Sequence, residues 1–279
     1  MSIKIIIDSS SDISVEEAQK LGVEMLPMQV AFNQKVFYDG VDLLPNDFYK
    51  KLEEENVLPK TSQITQYRFE EKISELVDQG HEVIVITISS KLSNTYNNAV
   101  LACNEFKDSA YAVDSLNAVS GEKVLCLYAL KLIEEGLSVK EIIDKLNEVK
   151  HNIVVLAGID TLEYLKKGGR ISSTAAAAGE MLSIKPIISV VNGEIKMVNK
   201  AIGQRRAFKM LDQIIATKEI NEELPYSFIY SGVDNSNLLK YLSVSAYKDK
   251  LDTSIITQIG STVGTHIGSG AVGLVYFKK

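Results

Sequence analysis

The sequence predicts an α/β protein in which a mainly parallel sheet comes first and a mixed sheet second. Three observations carry this expectation. Short apolar runs alternate with amphipathic segments through the first half, which is the grammar of βαβ units. An Asn192-Gly193 pair between two apolar runs signals a hairpin, and so antiparallel pairing, in the second half. Of the 279 residues, 46% are hydrophobic and 24% charged, enough apolar material for a large core or two modest ones.

Taken in order, Ile3 to Ile7, Val83 to Ile88, Ala110 to Val113 and Ile153 to Ala157 read as buried strands of the parallel sheet. Ser14 and Glu17 make a capping box before the first helix. Helical spacing recurs over Phe69 to Val77, Thr95 to Phe106 and Val124 to Ile133. After Asp160 come two helical stretches, then a hairpin of Pro186 to Val191 with Ile195 to Val198. Helices near 203–217 and 235–247 follow, with strands near 226–230, 254–258 and 271–277. The change of pattern puts a domain boundary near residue 158, dividing the chain into 1–158 and 159–279. Ala175 to Ala178 reads as small-residue helix packing.

Thirty Lys and Arg against thirty-six Asp and Glu give a net charge of −6, which argues against a nucleic-acid partner. Three apolar residues between Lys4 and Asp8 are too few for a secretory signal, and the expectation is a cytoplasmic protein. Residues 253–277 carry no Asp, Glu, Lys or Arg, but five glycines and seven Ser or Thr make the run too polar for a transmembrane helix. It reads as strands and turns around a site. Cys103 and Cys126 both fall in helical patterns and read as buried free thiols.

Open α/β sheets bind ligands beyond the carboxyl ends of their strands, and there this sequence collects hydroxyls. Asp8-Ser9-Ser10-Ser11-Asp12, Ser89 through Thr95, Asp114-Ser115 and Asp160-Thr161 each follow an expected strand. Ser93 precedes a helix and reads either as a cap or as a hydroxyl ligand to an anion. Thr61-Ser62-Gln63 likewise reads as a helix-entry hydroxyl cluster or a plain turn. Asp8 and Asp12 read more readily as turn-forming acids than as cation ligands. His266 lies among Gly264, Gly268 and Gly270, where backbone can approach closely. Lys166 and Lys167 close a helix before Gly168, which fits C-terminal capping; the other reading is an anion- or partner-docking patch with Arg170, joined by Arg205 and Arg206. Gly268 to Gly273 matches G-x-G-x-x-G, yet six residues remain after it, too few for the helix, second strand and acid of a dinucleotide site. No phosphate loop, zinc-protease motif or nucleophile elbow is present in the sequence, and neither a metal nor a cofactor is expected.

Several of these stretches together resemble the DegV family from end to end: 8–12, 61–63, 89–96, 114–115, 162–171, 184–187 and 264–273. The resemblance implies a three-layer α/β/α N-terminal domain, a two-layer C-terminal domain and the binding of a long-chain fatty acid rather than catalysis. It also implies a partner, a fatty acid kinase that converts the carboxylate to an acyl phosphate for phospholipid metabolism, and transient contact with a membrane surface. The carboxylate ligands it implies are Thr61, Ser93 and His266, with Ser62 a close second in the first segment; Arg170 is implied in kinase docking. Asn94 stands where the family commonly has glycine, Ser183 where it has asparagine and Ser269 where it has proline, while Lys200-Ala201-Ile202-Gly203 replaces a Lys-x-Arg-Gly element. One rival reading is an acyl hydrolase or transferase with Ser93 as nucleophile and His266 as base. The other is a sugar- or dihydroxyacetone-phosphate protein, for which a small polar pocket is expected.

Overall fold

A computed structural model describes residues 2–55, 57–171 and 184–279. Strands β1 (Ile3–Asp8), β2 (Glu24–Leu26), β6 (Glu82–Thr87) and β7 (Ala110–Asp114) make a wholly parallel sheet in the order β2-β1-β6-β7. Its strands are apolar on both faces because both faces are covered. Ile5, Ile7, Ile84 and Ile86 pack with Val124, Leu125 and Ala129 of the helix Ser120–Glu134. The alternate residues Ile6, Val83 and Val85 pack with Phe69 and Ile73 of Gln66–Asp78 and with Ala99 of Thr95–Glu105. Successive side chains pointing to opposite faces thus produce three layers.

A small antiparallel sheet, β4 (Lys35–Tyr38), β3 (Gln29–Phe32) and β5 (Lys60–Ser62), branches from this unit. The third sheet has six strands in the order β10-β9-β8-β13-β11-β12: β8 (Ile153–Gly158), β9 (Ile184–Val191), β10 (Glu194–Ile202), β11 (Ser227–Tyr230), β12 (Ile256–Gln258) and β13 (Val272–Phe277). All its pairings are antiparallel except β11 with β12. One face, with Leu156, Phe228, Leu274 and Tyr276, packs on Phe208 and Leu211 of the helix Gln204–Ala216 and on Leu238 and Tyr241 of Ser236–Val244. The opposite face, with Val155, Ala157, Ile229 and Val275, joins the core built on Ser120–Glu134. The six-stranded sheet is therefore seated against the first unit, and a crevice between them opens at the strand ends.

Three expectations are corrected. Ile153–Ala157 belongs to the mixed sheet as β8, not to the parallel one; its unbroken apolar run reflects burial on two faces, which antiparallel neighbours also provide. Ile153–Gly158, which the expected boundary near residue 158 leaves with the first part of the chain, pairs with strands of the second. Thr61-Ser62 is not a turn at a helix entrance but part of β5, with Thr61 opposite Val30. Within 253–277, Ser261–Ile267 is an α-helix carrying His266. Ala175 to Ala178 and Ser183 lie outside the described residues. Cys103 and Cys126 are buried and free, and burial pushes the Cys103 thiol up to about 12. No helix among the described residues is long and apolar enough to cross a membrane.

The helix Ser261–Ile267 has seven residues, too few to be stable alone, and it is fixed from its N-terminus. The buried Asp39 carboxylate accepts from the Ser261 N–H at 2.9 Å, the Thr262 N–H at 3.2 Å, the Ser261 hydroxyl and the Ser9 hydroxyl at 3.0 Å. Asp12 accepts from the Gly260 N–H at 2.8 Å, and the Tyr49 hydroxyl donates to the Ile259 carbonyl at 2.9 Å. Asp39→Ala leaves several buried donors unpaired and should cost about 2 to 4 kcal/mol of folding stability. Urea unfolding measures it, and an unchanged midpoint contradicts the anchoring role.

Candidate binding site at the strand ends

The acids that end β1 and β7 organise loops. Asp8 accepts from the Ser10 N–H at 2.9 Å and the Ile88 N–H at 2.8 Å, tying the end of β1 to the loop that carries Ser93. Burial raises its pKa to about 6 against the opposing pull of those bonds. Asp114 accepts from the Ser90 N–H at 3.2 Å and the Leu116 N–H at 2.9 Å. Among the described residues no cluster of His, Cys, Asp or Glu has the arrangement of a metal site.

Ser93 lies one residue before Asn94, which occupies the cap position of Thr95–Glu105. Its Oγ accepts from the Thr95 N–H at 3.3 Å and lies 2.9 Å from the Thr95 hydroxyl, so it serves the helix entrance and still faces a cavity. That cavity, about 470 Å³, is lined by Thr61, Ser62, Ser93, Arg170, Thr262 and His266. Apolar side chains, among them Met28, Ile88 and Leu92, complete its walls. Residues from β5, two loops and the last described mixed-sheet helix therefore meet at one place, although Thr61 and His266 are 205 positions apart in the chain.

His266 Nε2 lies 3.0 Å from Thr61 Oγ1. Burial lowers the imidazole pKa to about 4, with the nearby Arg170 charge adding to the effect, so the ring is neutral near pH 7. Nδ1 is buried without a hydrogen-bond partner. A bare lone pair there costs less than an unpaired N–H, which favours the tautomer with hydrogen on Nε2. That hydrogen then points to Thr61, leaving the threonine O–H free to donate into the cavity. Gly168 packs against the other side of the ring: a Cβ at this position would sit 2.2 Å from Nδ1.

Arg170 lines the cavity wall and also borders a surface groove. Its guanidinium donates to the Leu92 carbonyl at 3.3 Å and the Gly168 carbonyl at 2.5 Å, bracing both the Ser93 loop and the turn beside His266. Lys166, Lys167 and Arg205 do not line the cavity and are exposed, Lys167 pairing with Glu163 at 2.5 Å. Thr262, absent from the sequence reading, lies one helical turn before His266; its signal was the i, i+4 spacing, hidden while the segment was read as strands and turns.

Beyond the polar cavity lies a second, narrow one of about 40 Å³. It is walled mainly by Val119, Val155, Leu165, Ile188, Ile229 and Ile259, where the mixed sheet meets the first unit. The two cavities share Ala118, Ile195, Val263 and His266. This amphipathic arrangement differs from the small polar pocket expected for a sugar phosphate. It also lacks the geometry of a serine hydrolase: Ser93 pairs with Thr95, His266 with Thr61, and Nδ1 has no carboxylate to orient it.

Two measurements test the histidine's placement. In an NMR titration the His266 ring should stay neutral until about pH 4. Because this folded-state value lies below the unfolded one, the ring's contribution to stability is complete above pH 6.5 and is lost as pH falls through about 4. A titration midpoint near 6.5 contradicts the burial argument. Gly168→Ala has a backbone φ of −76° that alanine accepts, so its effect isolates the collision with the ring. It should displace the ring from Thr61, seen as a changed His266 chemical shift, with the fold retained.

Residues 2–279 match a family model described as "Uncharacterised protein, DegV family". A DegV domain-containing protein of Clostridium acetobutylicum is 32% identical over 278 residues, covering 99% of each chain. Another, from Clostridium perfringens, is 33% identical over 282 residues, covering 98% of this chain and 96% of that one. Among solved structures, a DegV family protein from Thermus thermophilus, described for its fatty acid binding, is similar over 100% of both chains with a TM-score of 0.89 at 27% identity. A stearic acid-binding protein from Eubacterium ventriosum has a TM-score of 0.87 at 26% identity, over 100% of this chain and 99% of that one. With the match running the length of the sequence and the same architecture beneath it, the chain belongs to the DegV family.

Proposed function

We propose that this protein binds a long-chain fatty acid, holds its carboxylate among Thr61, Ser62, Ser93 and His266, and presents it to a separate fatty acid kinase. The supporting observation is the junction of a hydroxyl-lined cavity with an apolar one at His266. The fatty acid-binding relatives among solved structures support its first part, the binding of a fatty acid.

The physical division is simple. Each buried methylene contributes about 0.8 kcal/mol, so a tail of a dozen or more supplies roughly 10 kcal/mol before ordering costs. A carboxylate leaving water costs several kcal/mol unless it is hydrogen-bonded, and the hydroxyls of Thr61, Ser62 and Ser93 are suited donors, the Nε2–H of His266 being given to Thr61 so that the threonine O–H turns to the carboxylate. The Arg170 guanidinium, engaged by two backbone carbonyls, adds positive potential without gripping both carboxylate oxygens. One oxygen then stays accessible for phosphoryl transfer by a partner that brings nucleotide and metal. In this reading the protein is a non-catalytic carrier in the cytoplasm serving phospholipid metabolism. Lys166, Lys167 and Arg205 remain candidates for the kinase contact, with Arg170 acting from the cavity wall.

Denaturing mass spectrometry of freshly purified protein should release a long-chain acid in near-stoichiometric amount; its absence, with no binding of added palmitate or oleate, defeats the proposal. Ser93→Ala and His266→Ala should each weaken retention by about 5- to 150-fold, the equivalent of one charge-assisted hydrogen bond. Both should keep the fold by circular dichroism. Rapid turnover of acyl esters that disappears in Ser93→Ala points to the hydrolase instead.

A further inference from the structure

Ile195 is the one described residue that lines the polar cavity, the apolar pocket and a surface groove of about 470 Å³ together. The groove lies on the outer side of the β9–β10 hairpin, bounded by Lys91, Leu92, Arg170, Ile171 and Met197. Ile195 thus stands where solvent, head group and tail compartments adjoin. Its three companions in the neck are fixed differently: Val263 and His266 ride the helix clamped by Asp39, and Ala118 lies at the turn into Ser120–Glu134.

Ile195 is tied more lightly. β10 is the terminal strand of its sheet, paired with β9 alone, and its register shifts between Met197 and Asn199. Such irregularities bend a strand locally. The tip is closed by Asn192 and Gly193, both at positive φ, and across the crevice the Ser89 hydroxyl donates to the Gly193 carbonyl at 2.8 Å, beside the side chains of Lys91 and Leu116. The approach is close enough that a Cβ on Gly193 would lie 2.5 Å from Ser89 Oγ. The apolar pocket has room for a few water-sized groups, so an alkyl chain enters only if a wall withdraws.

We infer that Ile195 is the gate residue of the acyl channel: the hairpin, latched by Ser89 to Gly193, swings it aside to admit a chain and returns it to separate head from tail. This rests on the fatty-acid reading and adds to it which residue governs passage and chain shape. Ile195 is a positioning residue, acting on how fast and which chains pass while Thr61, Ser93 and His266 hold the carboxylate.

The test loads purified full-length protein with isotope-labelled palmitate and follows its exchange against unlabelled palmitate by mass spectrometry. Ile195→Ala should speed exchange by about fivefold or more, and Ser89→Ala by about threefold, with melting temperatures close to the wild-type value. Ile195→Phe should slow exchange and disfavour a methyl-branched acid against its straight-chain isomer by about tenfold. Exchange rates and branched-to-straight ratios within twofold of wild type in all three variants overturn the gate. Wild-type protein that retains no palmitate overturns the fatty-acid reading itself, and the gate with it; wild-type retention with unresponsive variants removes the gate alone.

Discussion

The arrangement depends on one buried carboxylate at a helix N-terminus. Asp39 comes from the loop after β4, and its acceptors meet the free amides of Ser261 and Thr262 more than 200 residues later. A helix of under two full turns gains little from its own hydrogen bonds, and negative charge at its positive end repairs that deficit. Asp12 and Tyr49 secure the two residues before it. With its beginning fixed, the helix delivers His266 in its last turn to Thr61 on β5. The same clamp joins the small antiparallel sheet to the six-stranded one, so site geometry and the seating of the sheets have a common cause.

Electrostatics in the crevice favour neutral forms over charged ones. Burial holds His266 uncharged down to about pH 4 and raises Asp8 to about 6, and it also lifts Asp12 and Glu122 well above the usual carboxylate range. The signs oppose each other. The Asp8 contribution to stability is complete below pH 3.8 and disappears as pH rises through about 6, whereas that of His266 is complete above 6.5 and disappears as pH falls through about 4. Between these limits neither side dominates.

Much of this was legible because local patterns dictated it. Apolar runs of four to six residues marked β1, β6 and β7, and Asn192-Gly193 marked the hairpin through the positive φ it demands. What failed were features decided by distant partners. β8 carries the same apolar run as a parallel strand, and only its neighbours β9 and β13 make it antiparallel. Ser261–Ile267 contains two threonines, a valine and a glycine, a poor helix composition, and is helical because Asp39 caps it from far away in sequence. Thr61, Ser62, Ser93 and His266 were visible as hydroxyls and a histidine near element ends, and the fold sets them around one cavity. Arg170 was visible as a cation, but its inward direction follows from the Leu92 and Gly168 carbonyls, which no local pattern announces.

The position of Arg170 bears on why a carrier would use hydroxyls at all. A free guanidinium facing a carboxylate makes two parallel hydrogen bonds, occupies both oxygens and lowers their nucleophilicity. Here two of its donors are spent on backbone carbonyls, so its charge reaches the cavity while its fork geometry is diverted. A serine or threonine hydroxyl offers one donor and rotates with its partner, which would suit the change of charge that the proposed transfer entails. In the proposed function affinity would rest with the tail, which a phosphoryl group added at the far end would leave unaltered, and the head residues would need only to hold the carboxylate in place. Under the proposed function, a site built this way would keep its cargo through the reaction without being complementary to either form of the head group alone.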